Sequence, residues 1–449
     1  MKTLTAAVSL KYPIGTIRRI NGGNLGPNLQ GEMSGMNIRK EFSELNLAVT
    51  RLHDVPLANP NCRLVDISSI FPLSHLDPLQ PENYDFRQTD DYLRNCYSCG
   101  CPVYYRLGES IDHTEKKYFI TPPEDVSKWI EIASNIIRHY NDGWANGFHY
   151  GIKYWEIWNE PEIQGNKHLA PDAKPLMWLG TEAQFLTFFR QVICELKQRF
   201  PHLKFGGPSH CGFSEKQSIP FLHYCAKNEI PLDFYSFHCY ADDPCGQIQR
   251  VPHLARKALD DLGYTDTEIH LNEWHYFPGD WQRLRYDPEY REYMFRNVLN
   301  GLDAAAFVAS VLTLWQDTPL DMSCYYTTAS TAWGCLPDGA GMPAKPFYSL
   351  TAFGEIVRYP NRLSIKTLSS GLTVLAGQDN NETAVLFSAF KTGPAKVVLQ
   401  TDCKIEEHKL SFRLLDEQHN LTPGIFSCSE NTISFSFTGN SCVGFLLCH

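Results

Sequence analysis

The sequence has no uninterrupted run of about 18 uncharged apolar residues, so no transmembrane helix is predicted. It also has no run of Lys and Arg residues. Overall, 40 basic residues stand against 50 acidic ones, and the net charge is −10. Without a basic patch, neither nucleic acids nor anionic membrane surfaces are expected partners. No Gly-x-Gly-x-x-Gly motif follows a predicted strand, which leaves a dinucleotide-binding fold without support.

The cysteines do not form the even, closely spaced set of a secreted disulfide framework. There are 15 of them, scattered along the chain, which is typical of reduced cytoplasmic thiols. Cys96, Cys99 and Cys101 lack an adjacent fourth ligand, so core packing is favoured over a metal or redox site, and no metal is predicted. The short apolar run after Lys2 contains Thr and Ser and has no small-residue cleavage site, so we expect no signal peptide and a cytoplasmic protein.

The composition is that of a globular protein with a large core. Of the 449 residues, 43% are hydrophobic and 20% are charged, which excludes disorder of the whole chain. This length allows two or three domains, or one large barrel with an accessory domain. Aromatic residues make up 13%; carbohydrate-binding clefts use such rings, but so do ordinary cores.

Runs with β periodicity alternate with amphipathic helical runs through most of the chain. The predicted strands cover residues 16–21, 48–53, 103–107, 154–158, 203–207, 232–238, 268–273 and 307–315. The predicted helices cover residues 38–46, 84–97, 124–140, 182–200, 217–228, 253–262, 288–302 and 347–357. Eight strand–helix pairs favour the α/β class, with a (β/α)₈ TIM barrel over residues 15–357 rather than an open doubly wound sheet.

The pattern changes after residue 357. Short apolar runs, several of them alternating with polar residues and separated by polar turns, predict an all-β sandwich over residues 358–449. Residues 1–14 precede the first barrel strand and are a candidate extra strand for this sandwich.

The sequence YWEIWNEP at residues 154–161 is the sharpest chemical signal. Strand four ends here, so Asn159 and Glu160 are expected at the C-terminal rim, where barrel active sites lie. Low polarity around a carboxyl group raises its pKa and keeps it protonated near neutrality, as a proton donor requires. The competing interpretation is structural, because Asn-Glu-Pro also fits a strand-to-helix turn with a helix N-cap.

A second carboxylate, Glu273, ends predicted strand seven within IHLNEW at residues 269–274. Three barrel units separate it from Glu160, so the two are expected to face each other across the barrel mouth. Two carboxyl groups about 5–5.5 Å apart hydrolyse a glycosidic bond with retention, one as nucleophile and the other as acid and then base. The alternative is a buried Glu that pairs with an Arg.

With these motifs the chain resembles glycoside hydrolase family 39, which includes β-xylosidases and α-L-iduronidases, in the clan A retaining glycosidases. The resemblance runs through nearly the whole barrel and includes TRLH at 50–53, YDF at 84–86, WNEP at 158–161, KFGGPS at 204–209 and LDFYSFHCY at 232–240. The Asn-Glu-Pro motif with a distant Glu belongs to the clan. The Gly-Gly-Pro and Asp-Phe-x-Ser-x-His-x-Tyr segments narrow the resemblance towards the family.

The resemblance implies roles for the central residues. Glu160 matches the acid/base and Glu273 the nucleophile. Asn159 would bond the sugar 2-hydroxyl, a contact that strengthens as the oxocarbenium ion develops. Arg51 would hold Glu273 ionised through its charge and hydrogen bonding, and so lower the pKa of that carboxyl.

The resemblance also implies the surrounding pocket. His238 and Tyr240 would lie beside the nucleophile, His53 would bond a sugar hydroxyl, and Trp315 at the end of strand eight would form an apolar wall. Trp274 begins a loop that departs from the family pattern and is assigned to the substrate-binding set; because this loop shapes the pocket, the sugar is not predicted. For His53, His238 and Trp315 the alternative is ordinary packing at the barrel rim.

We therefore expect a two-domain retaining glycosidase that removes a terminal sugar from a short glycoside or oligosaccharide, in the manner of a β-xylosidase. Two carboxylates suffice for this chemistry, so no cofactor is expected, and a small carbohydrate is the expected partner. Homo-oligomerisation is left open. Two alternatives also stay open: a catalytically silent sugar-binding protein on the same barrel, and a transglycosidase or phosphorylase that uses the same residues.

Overall fold

The computed structural model describes residues 1–27, 37–55, 63–112, 114–163, 174–330, 332–336, 343–380, 382–404 and 406–449. The first strand of the chain, β1 (Lys2–Thr16), belongs to the second domain. The next eight strands run parallel and close into a barrel, which confirms the predicted (β/α)₈ architecture. These barrel strands are β2 (Asn21–Asn24), β3 (Thr50–Leu52), β4 (Val103–Leu107), β5 (Tyr154–Ile157), β6 (Lys204–His210), β7 (Phe234–Ala241), β8 (Glu268–Tyr276) and β9 (Met322–Tyr325).

Helices surround the barrel strands. They are α1 (Arg39–Glu44), α2 (Ile67–Ile70), α3 (Arg87–Ser98), α4 (Val126–Asn141), α5 (Glu182–Arg199), α6 (Ser218–Lys227), α7 (Gln247–Asp261), α8 (Trp281–Tyr286), α9 (Pro288–Tyr293), α10 (Leu302–Leu314) and α11 (Lys345–Ile356), with a π-helical turn at Met294–Val298.

The long helices follow from ordinary local signals. Helix α4 is capped by Asp125, whose side chain accepts from the Lys128 backbone N–H at 3.0 Å. Its buried residues recur at helical spacing and pack against the barrel strands. Helix α5 begins with a capping box, in which Thr181 and Gln184 each bond to the backbone of the other.

Two barrel strands lie elsewhere than predicted. The first barrel strand is β2, because Thr16 ends the long strand β1 of the other domain. Residues 307–315 do not form the eighth strand; they lie mostly within helix α10, and the strand is β9. Helix α10 is covered by the barrel on one side and by the second domain on the other, so it is apolar on all faces. An apolar run without helical periodicity cannot be distinguished from a buried strand by its pattern.

The second domain is a ten-stranded sheet that curls into the predicted sandwich. Its strand order is β15-β14-β18-β12-β11-β10-β1-β13-β17-β16. Besides β1, the strands are β10 (Asn361–Thr367), β11 (Leu372–Gln378), β12 (Thr383–Ala389), β13 (Ala395–Thr401), β14 (Leu410–Leu415), β15 (Asn420–Pro423), β16 (Ser427–Ser429), β17 (Thr432–Phe437) and β18 (Cys442–Cys448). Phe412 and Phe435 come from distant strands of this order, yet their rings lie 4.6 Å apart, so the sheet folds over its own core.

Strand β1 lies in the middle of this sheet. It pairs antiparallel with β10 and parallel with β13. Leu4, Ala6 and Val8 are buried in the sandwich core while the residues between them are more exposed, the period of two expected for a strand.

No single helix in the described ranges has both the length and the apolarity of a membrane span. One sharply bent pair, Pro288–Val298 with Leu302–Asp317, meets the criterion by length and composition alone.

Candidate active site

The predicted catalytic residues meet at the C-terminal mouth of the barrel. They come from the ends of separate strands, the position at which TIM barrels place their chemistry. Arg51 is on β3, Glu160 follows β5, His238 is on β7 and Glu273 is on β8. The register of β7 and β8 pairs His238 directly with Glu273, so these two side chains share one layer of the barrel.

The backbone around Glu160 adopts an uncommon conformation. Trp158 and Glu160 have positive φ values of 70° and 40°, and Ser209 on the neighbouring strand has a φ of 60°. Each such residue costs about 1–3 kcal/mol, and such residues cluster at functional sites. The turn is held by two backbone bonds, from Trp158 N–H to the Leu107 carbonyl at 2.8 Å and from Glu160 N–H to the Ser209 carbonyl at 3.0 Å.

The Gly-Gly-Pro motif accounts for the placement of Ser209. A Cβ on Gly206 would lie 2.0 Å from the Phe234 carbonyl oxygen, and Gly207 has a φ of 138° that few other residues adopt. Only glycine therefore lets β6 pass this close to β7 and turn Ser209 into the barrel. Ser209 is fully buried between the strands that carry Glu160 and His238.

The two carboxylates lie close together. One oxygen of Glu160, one oxygen of Glu273 and a ring nitrogen of His238 all lie within 4.8 Å of one another. His238 Nδ1 is 2.8 Å from Glu160 Oε1 and 3.4 Å from Glu273 Oε2. This closest approach is compatible with the separation of roughly 5–5.5 Å between the two carboxyl groups of retaining glycosidases.

Arg51 is fully buried and connects three side chains of the site. Its Nε donates to Glu156 Oε2 at 2.7 Å, its Nη1 to Glu273 Oε1 at 2.9 Å, and its Nη2 to Asn159 Oδ1 at 2.6 Å. Burial alone would lower the pKa of Arg51, but the charges of Glu156 and Glu273 raise it, so the guanidinium stays charged. The cation thus orients the side chains of Glu273 and Asn159 together.

Glu156 is a residue whose role sequence reasoning missed. It lies fully buried on β5 and accepts from Arg51, from Ser236 Oγ at 2.6 Å and from the Asn272 side-chain amide. Its place in YWEIWNEP, with inward parity on a barrel strand, was the signal available. Glu156 anchors Arg51, because a buried cation needs a paired anion.

Burial sets the charge states of the two carboxyl groups. It raises the pKa of Glu160 to about 7, against a smaller lowering by a hydrogen bond from Cys211 and by Arg51. Burial also raises the pKa of Glu273 above its ordinary value, although His238 and Arg51 oppose that rise. Arg51 thus lowers the pKa of Glu273, as expected, but the desolvation of a buried carboxylate outweighs this one cation and the net shift is upward.

His238 is neutral and bridges the two carboxylates. Burial lowers the pKa of His238 to about 4. Its Nε2 lies 2.6 Å from Ser209 Oγ. Tyr240 Oη donates at 3.1 Å to Glu273 Oε2, the oxygen that also lies 3.4 Å from His238 Nδ1. Both His238 and Tyr240 thus lie beside Glu273, as the resemblance implies.

Asn159 presents an unused donor. Its Oδ1 is taken by Arg51, while its Nδ2 is buried and without a hydrogen-bond partner in the described part of the chain. A buried donor without a partner is costly, and a substrate hydroxyl can satisfy it. This geometry suits the bond to a sugar hydroxyl expected for Asn159.

His53 lies deeper than the cleft surface. It is buried, its Nε2 is 3.3 Å from Asp54 Oδ1, and burial keeps the pKa of His53 well below its ordinary value. Asp54, the next residue, lines the cleft, and His53 does not lie among the lining residues. The structure therefore leaves the sugar contact of His53 as a prediction.

Trp274 and Trp315 do not line the cleft. Their rings pack 4.9 Å apart, and both are fully buried. Trp274 follows Glu273 on β8, so alternation along the strand directs it away from the barrel interior. Trp315 lies in a turn after α10, where its Nε1 donates to the Ile248 carbonyl at 3.1 Å. The assignment of these residues to the substrate pocket is corrected: they are core.

Other aromatic residues form the pocket wall. A cleft of about 830 Å³ contains Glu160 and Glu273 and is lined by Tyr326 and Trp333 beyond the end of β9. The Trp333 ring lies 6.0 Å from Tyr326 and 5.9 Å from Tyr240. The correct position of strand eight would have identified Tyr326, which follows it directly.

In the described residues, one group of three could hold a metal ion: Glu160, His238 and Glu273. Their atoms are already engaged, because Arg51 binds Glu273 and both ring nitrogens of His238 have hydrogen-bond partners. Cys96 and Cys101 are buried thiols within the hydrophobic core, as favoured from the sequence.

Residues 80–316, more than half of the chain, match the family model described as glycosyl hydrolases family 39. The chain belongs to that family. A β-xylosidase from Geobacillus stearothermophilus is 30% identical to this family 39 chain over 127 residues, which are 27% of this chain and 22% of that protein. A β-xylosidase from Caldicellulosiruptor saccharolyticus is 28% identical over 127 residues, 28% of this chain and 23% of that protein. The matches thus span less than a quarter of the length of these curated relatives.

Solved structures share the fold of the family 39 chain over its full length. A glucosidase from Croceicoccus marinus superposes with a TM-score of 0.78 at 19% identity and covers 100% of both chains. A family 30 xylanase from Clostridium acetobutylicum has a TM-score of 0.60 at 14% identity and covers 99% of this chain and 100% of that one. At these identities the likeness concerns the fold.

Proposed function

We propose that this protein is a retaining glycoside hydrolase, with Glu273 as nucleophile and Glu160 as acid and then base. The observation that carries the proposal is the separation of the two carboxylates, whose nearest oxygens lie within 4.8 Å. An inverting mechanism requires room for a water molecule between the base and the sugar, and carboxylates this close together do not leave that room.

In the first step, a Glu273 oxygen attacks the anomeric carbon and forms an ester bond to the sugar. The bond from that carbon to the leaving oxygen breaks, and Glu160 gives its proton to that oxygen. A pKa of about 7 leaves Glu160 partly protonated at neutral pH, which suits this donation. Arg51 and Tyr240 hold Glu273 in place for the attack.

In the second step, the Glu160 carboxylate takes a proton from water while the water oxygen attacks the anomeric carbon. The ester bond to Glu273 breaks, and the sugar leaves with its original configuration. The free Nδ2 of Asn159 can donate a hydrogen bond to a hydroxyl oxygen of the sugar and so hold the ring in place.

We propose a short glycoside or oligosaccharide with a terminal xylose-like sugar as the substrate. The β-xylosidase relatives and the closed inner end of the site around Arg51 and Asn159 support this choice. The alternative of a silent sugar-binding barrel is disfavoured by the convergence of an acid with a raised pKa and a second carboxylate.

The test is the stereochemistry of the first product. Aryl xylosides, glucosides, galactosides, arabinosides, glucuronides and iduronides are screened for release of the phenol. For the best substrate, NMR is recorded before the sugar mutarotates. We expect the first-formed sugar to have the anomeric configuration of the substrate; the opposite anomer would assign an inverting mechanism and contradict the proposal.

We also propose that the protein works in the cytoplasm. The odd number and the scatter of its 15 cysteines support this location. Titration of the denatured protein without reductant should find nearly all thiols free, whereas several protected pairs would indicate export.

A further inference from the structure

Two arginines lie at the outer part of the catalytic cleft. Arg285 is on α8 and Arg291 on α9, and both line the same cleft as Glu160 and Glu273. Both are solvent-exposed. Arg285 is near enough to Glu160 for its charge to lower the pKa of that carboxyl slightly. Arg285 therefore lies within electrostatic reach of Glu160, the proposed acid/base, and Arg291 lines the same cleft.

Two aspartates of the same segment, Asp280 and Asp287, are already engaged. Asp280 caps α8 by accepting from the Gln282 N–H at 2.7 Å. Asp287 caps α9 by accepting from the Tyr290 N–H at 3.0 Å, and it also pairs with Arg283 at 3.0 Å. These acidic groups therefore neutralise the helix ends and Arg283, not the cations of the cleft.

In the described part of the chain, no carboxylate lies within 4 Å of the Arg285 or Arg291 guanidinium. Within the described ranges, the side chain of Arg291 donates only to the backbone carbonyl of Arg285, at 3.2 Å. Arg296, one turn further on, is by contrast paired with Glu292 at 3.0 Å. The two cations that face the cleft are thus the unneutralised ones.

An aromatic surface adjoins these cations. Trp281 is 40% exposed and Tyr286 is 47% exposed, although both line the cleft. The Trp281 ring lies 5.0 Å from Tyr240, which in turn bonds the nucleophile. Exposed aromatic rings beside exposed guanidinium groups can bind a ring that carries an anionic substituent.

We propose that Arg285 and Arg291, with Trp281 and Tyr286, form a leaving-group subsite for an aglycone that carries a carboxylate or phosphate. The proposal rests on the proposed glycosidase function and specifies its substrate class. The sugar to be transferred occupies the buried inner end over Arg51 and Asn159, and the aglycone extends outward between the two helices. Guanidinium groups bind carboxylate and phosphate through the same paired N–H donors, so both anions fit.

The test measures binding without turnover, on the Glu273→Gln variant. The probes are the β-xyloside and the β-glucoside of 3-hydroxybenzoate, each compared by calorimetry with the matched glycoside of neutral 3-hydroxybenzamide. A third pair carries a phosphate monoester on the phenyl ring in place of the carboxylate. We expect the anionic member to bind about 5-fold to 10-fold more tightly, a preference that shrinks in high salt.

The same preference should fall to about 2-fold or less when Arg285→Gln and Arg291→Gln are combined with Glu273→Gln. The matched control, Arg296→Gln, removes an exposed arginine already paired with Glu292, and the preference should be unchanged. A larger ratio with the carboxylate or with the phosphate identifies the anion preferred. Equal affinity for anionic and neutral probes, or no affinity for any of them, would overturn the subsite.

Failure of the glycosidase proposal gives a different result. In that case the wild-type protein releases no phenol from any probe, while the anionic preference of the Glu273→Gln variant is still measurable. The binding ratio and the turnover of the wild type therefore report on the two proposals separately.

Discussion

The Nδ1 atom of His238 lies 2.8 Å from Oε1 of Glu160, so the proposed acid/base is hydrogen-bonded to a neutral imidazole. The other ring nitrogen lies 2.6 Å from Ser209 Oγ. Arg51 Nη2 donates to the same oxygen at 3.0 Å, so the Ser209 hydroxyl proton is available for His238 Nε2 or for Asn272 Oδ1 at 3.2 Å. The direction in which the Ser209 hydroxyl points its proton is thus coupled to which nitrogen of the His238 ring carries a proton.

This arrangement can accompany both halves of the reaction. When Ser209 donates to Nε2, the imidazole carries its proton on Nδ1 and donates to an ionised Glu160. When Ser209 donates to Asn272, the imidazole donates from Nε2, and Nδ1 accepts from a protonated Glu160. Ser209 is therefore a positioning residue that acts on Glu160 through His238.

Ser209→Ala should reduce kcat/KM about 10-fold to 100-fold for substrates with poor leaving groups, which need proton donation. Dinitrophenyl glycosides need little protonation in the first step, so kcat/KM with them should fall much less. Ser349→Ala is the control, since Ser349 Oγ is also buried but has no hydrogen-bond partner among the residues that the structure describes. An equal loss with both kinds of leaving group would indicate a structural role for Ser209 only.

The two carboxylates can be separated by azide rescue. Glu160→Ala should spare the first step with dinitrophenyl glycosides but slow the second, so a covalent sugar on Glu273 should accumulate. Azide needs no base, so it should restore turnover and yield a glycosyl azide with the configuration of the substrate. Mass spectrometry of the trapped protein and NMR of the azide product are the measurements.

Glu273→Ala is the matched variant in that experiment. It should lose on the order of 10⁴-fold or more in rate, because no covalent intermediate can form. Azide should then give the inverted product or none. If azide gave the inverted product with Glu160→Ala instead, the two roles would be exchanged.

The raised pKa of Glu160 also predicts a dependence of stability on pH. A carboxyl group with a pKa of about 7 when folded and an ordinary value of 4.5 when unfolded holds its proton more tightly in the folded state. The free energy of unfolding should therefore fall as pH rises from about 4.5 to 7. Glu160→Gln has no carboxyl group to ionise and should not lose stability in this way. The free energy of unfolding of the variant minus that of the wild type should therefore be more favourable at pH 8 than at pH 4.5, by up to about 3 kcal/mol.

Urea unfolding at pH 4.5 and pH 8 measures that difference. Glu44→Gln on α1 is the control, because Glu44 is exposed. The prediction fails if Glu160→Gln and the wild type respond to pH alike.

Replacing a tryptophan by alanine should affect substrate binding if the residue lines the cleft, and stability if the residue belongs to the core. Trp333→Ala removes part of the pocket wall and should raise KM about 5-fold, since a ring contact is worth about 1 kcal/mol beyond its buried area. Trp315→Ala should instead lower the free energy of unfolding by about 3–5 kcal/mol and leave KM nearly unchanged. Kinetics and urea unfolding of both variants are the measurements; a raised KM with intact stability for Trp315→Ala would restore its place in the pocket.

The barrel and the meeting of Glu160 with Glu273 at its mouth could both be predicted from the sequence alone. Alternating periods of 2 and 3.6 residues predict strands and helices from local information, and the order of these elements indicates a TIM barrel. Because a barrel places every strand end at one mouth, residues as distant as Glu160 and Glu273 could be brought together from their positions on the strands alone. The motifs around Arg51, His238 and Tyr240 added their neighbours by resemblance.

Only the tertiary structure decided which neighbouring side chains enter the site. Helix α10 is covered on two sides by different domains, so its sequence carries no exposed face and was assigned as strand eight. That error placed Trp315 in the pocket, where the chain instead has Tyr326 and Trp333. The pKa of Glu273 was likewise decided by burial, a property of the packed barrel. Periodicity records which face of a local element is apolar; it does not record what covers that face, and such cover arises from residues far apart in the chain.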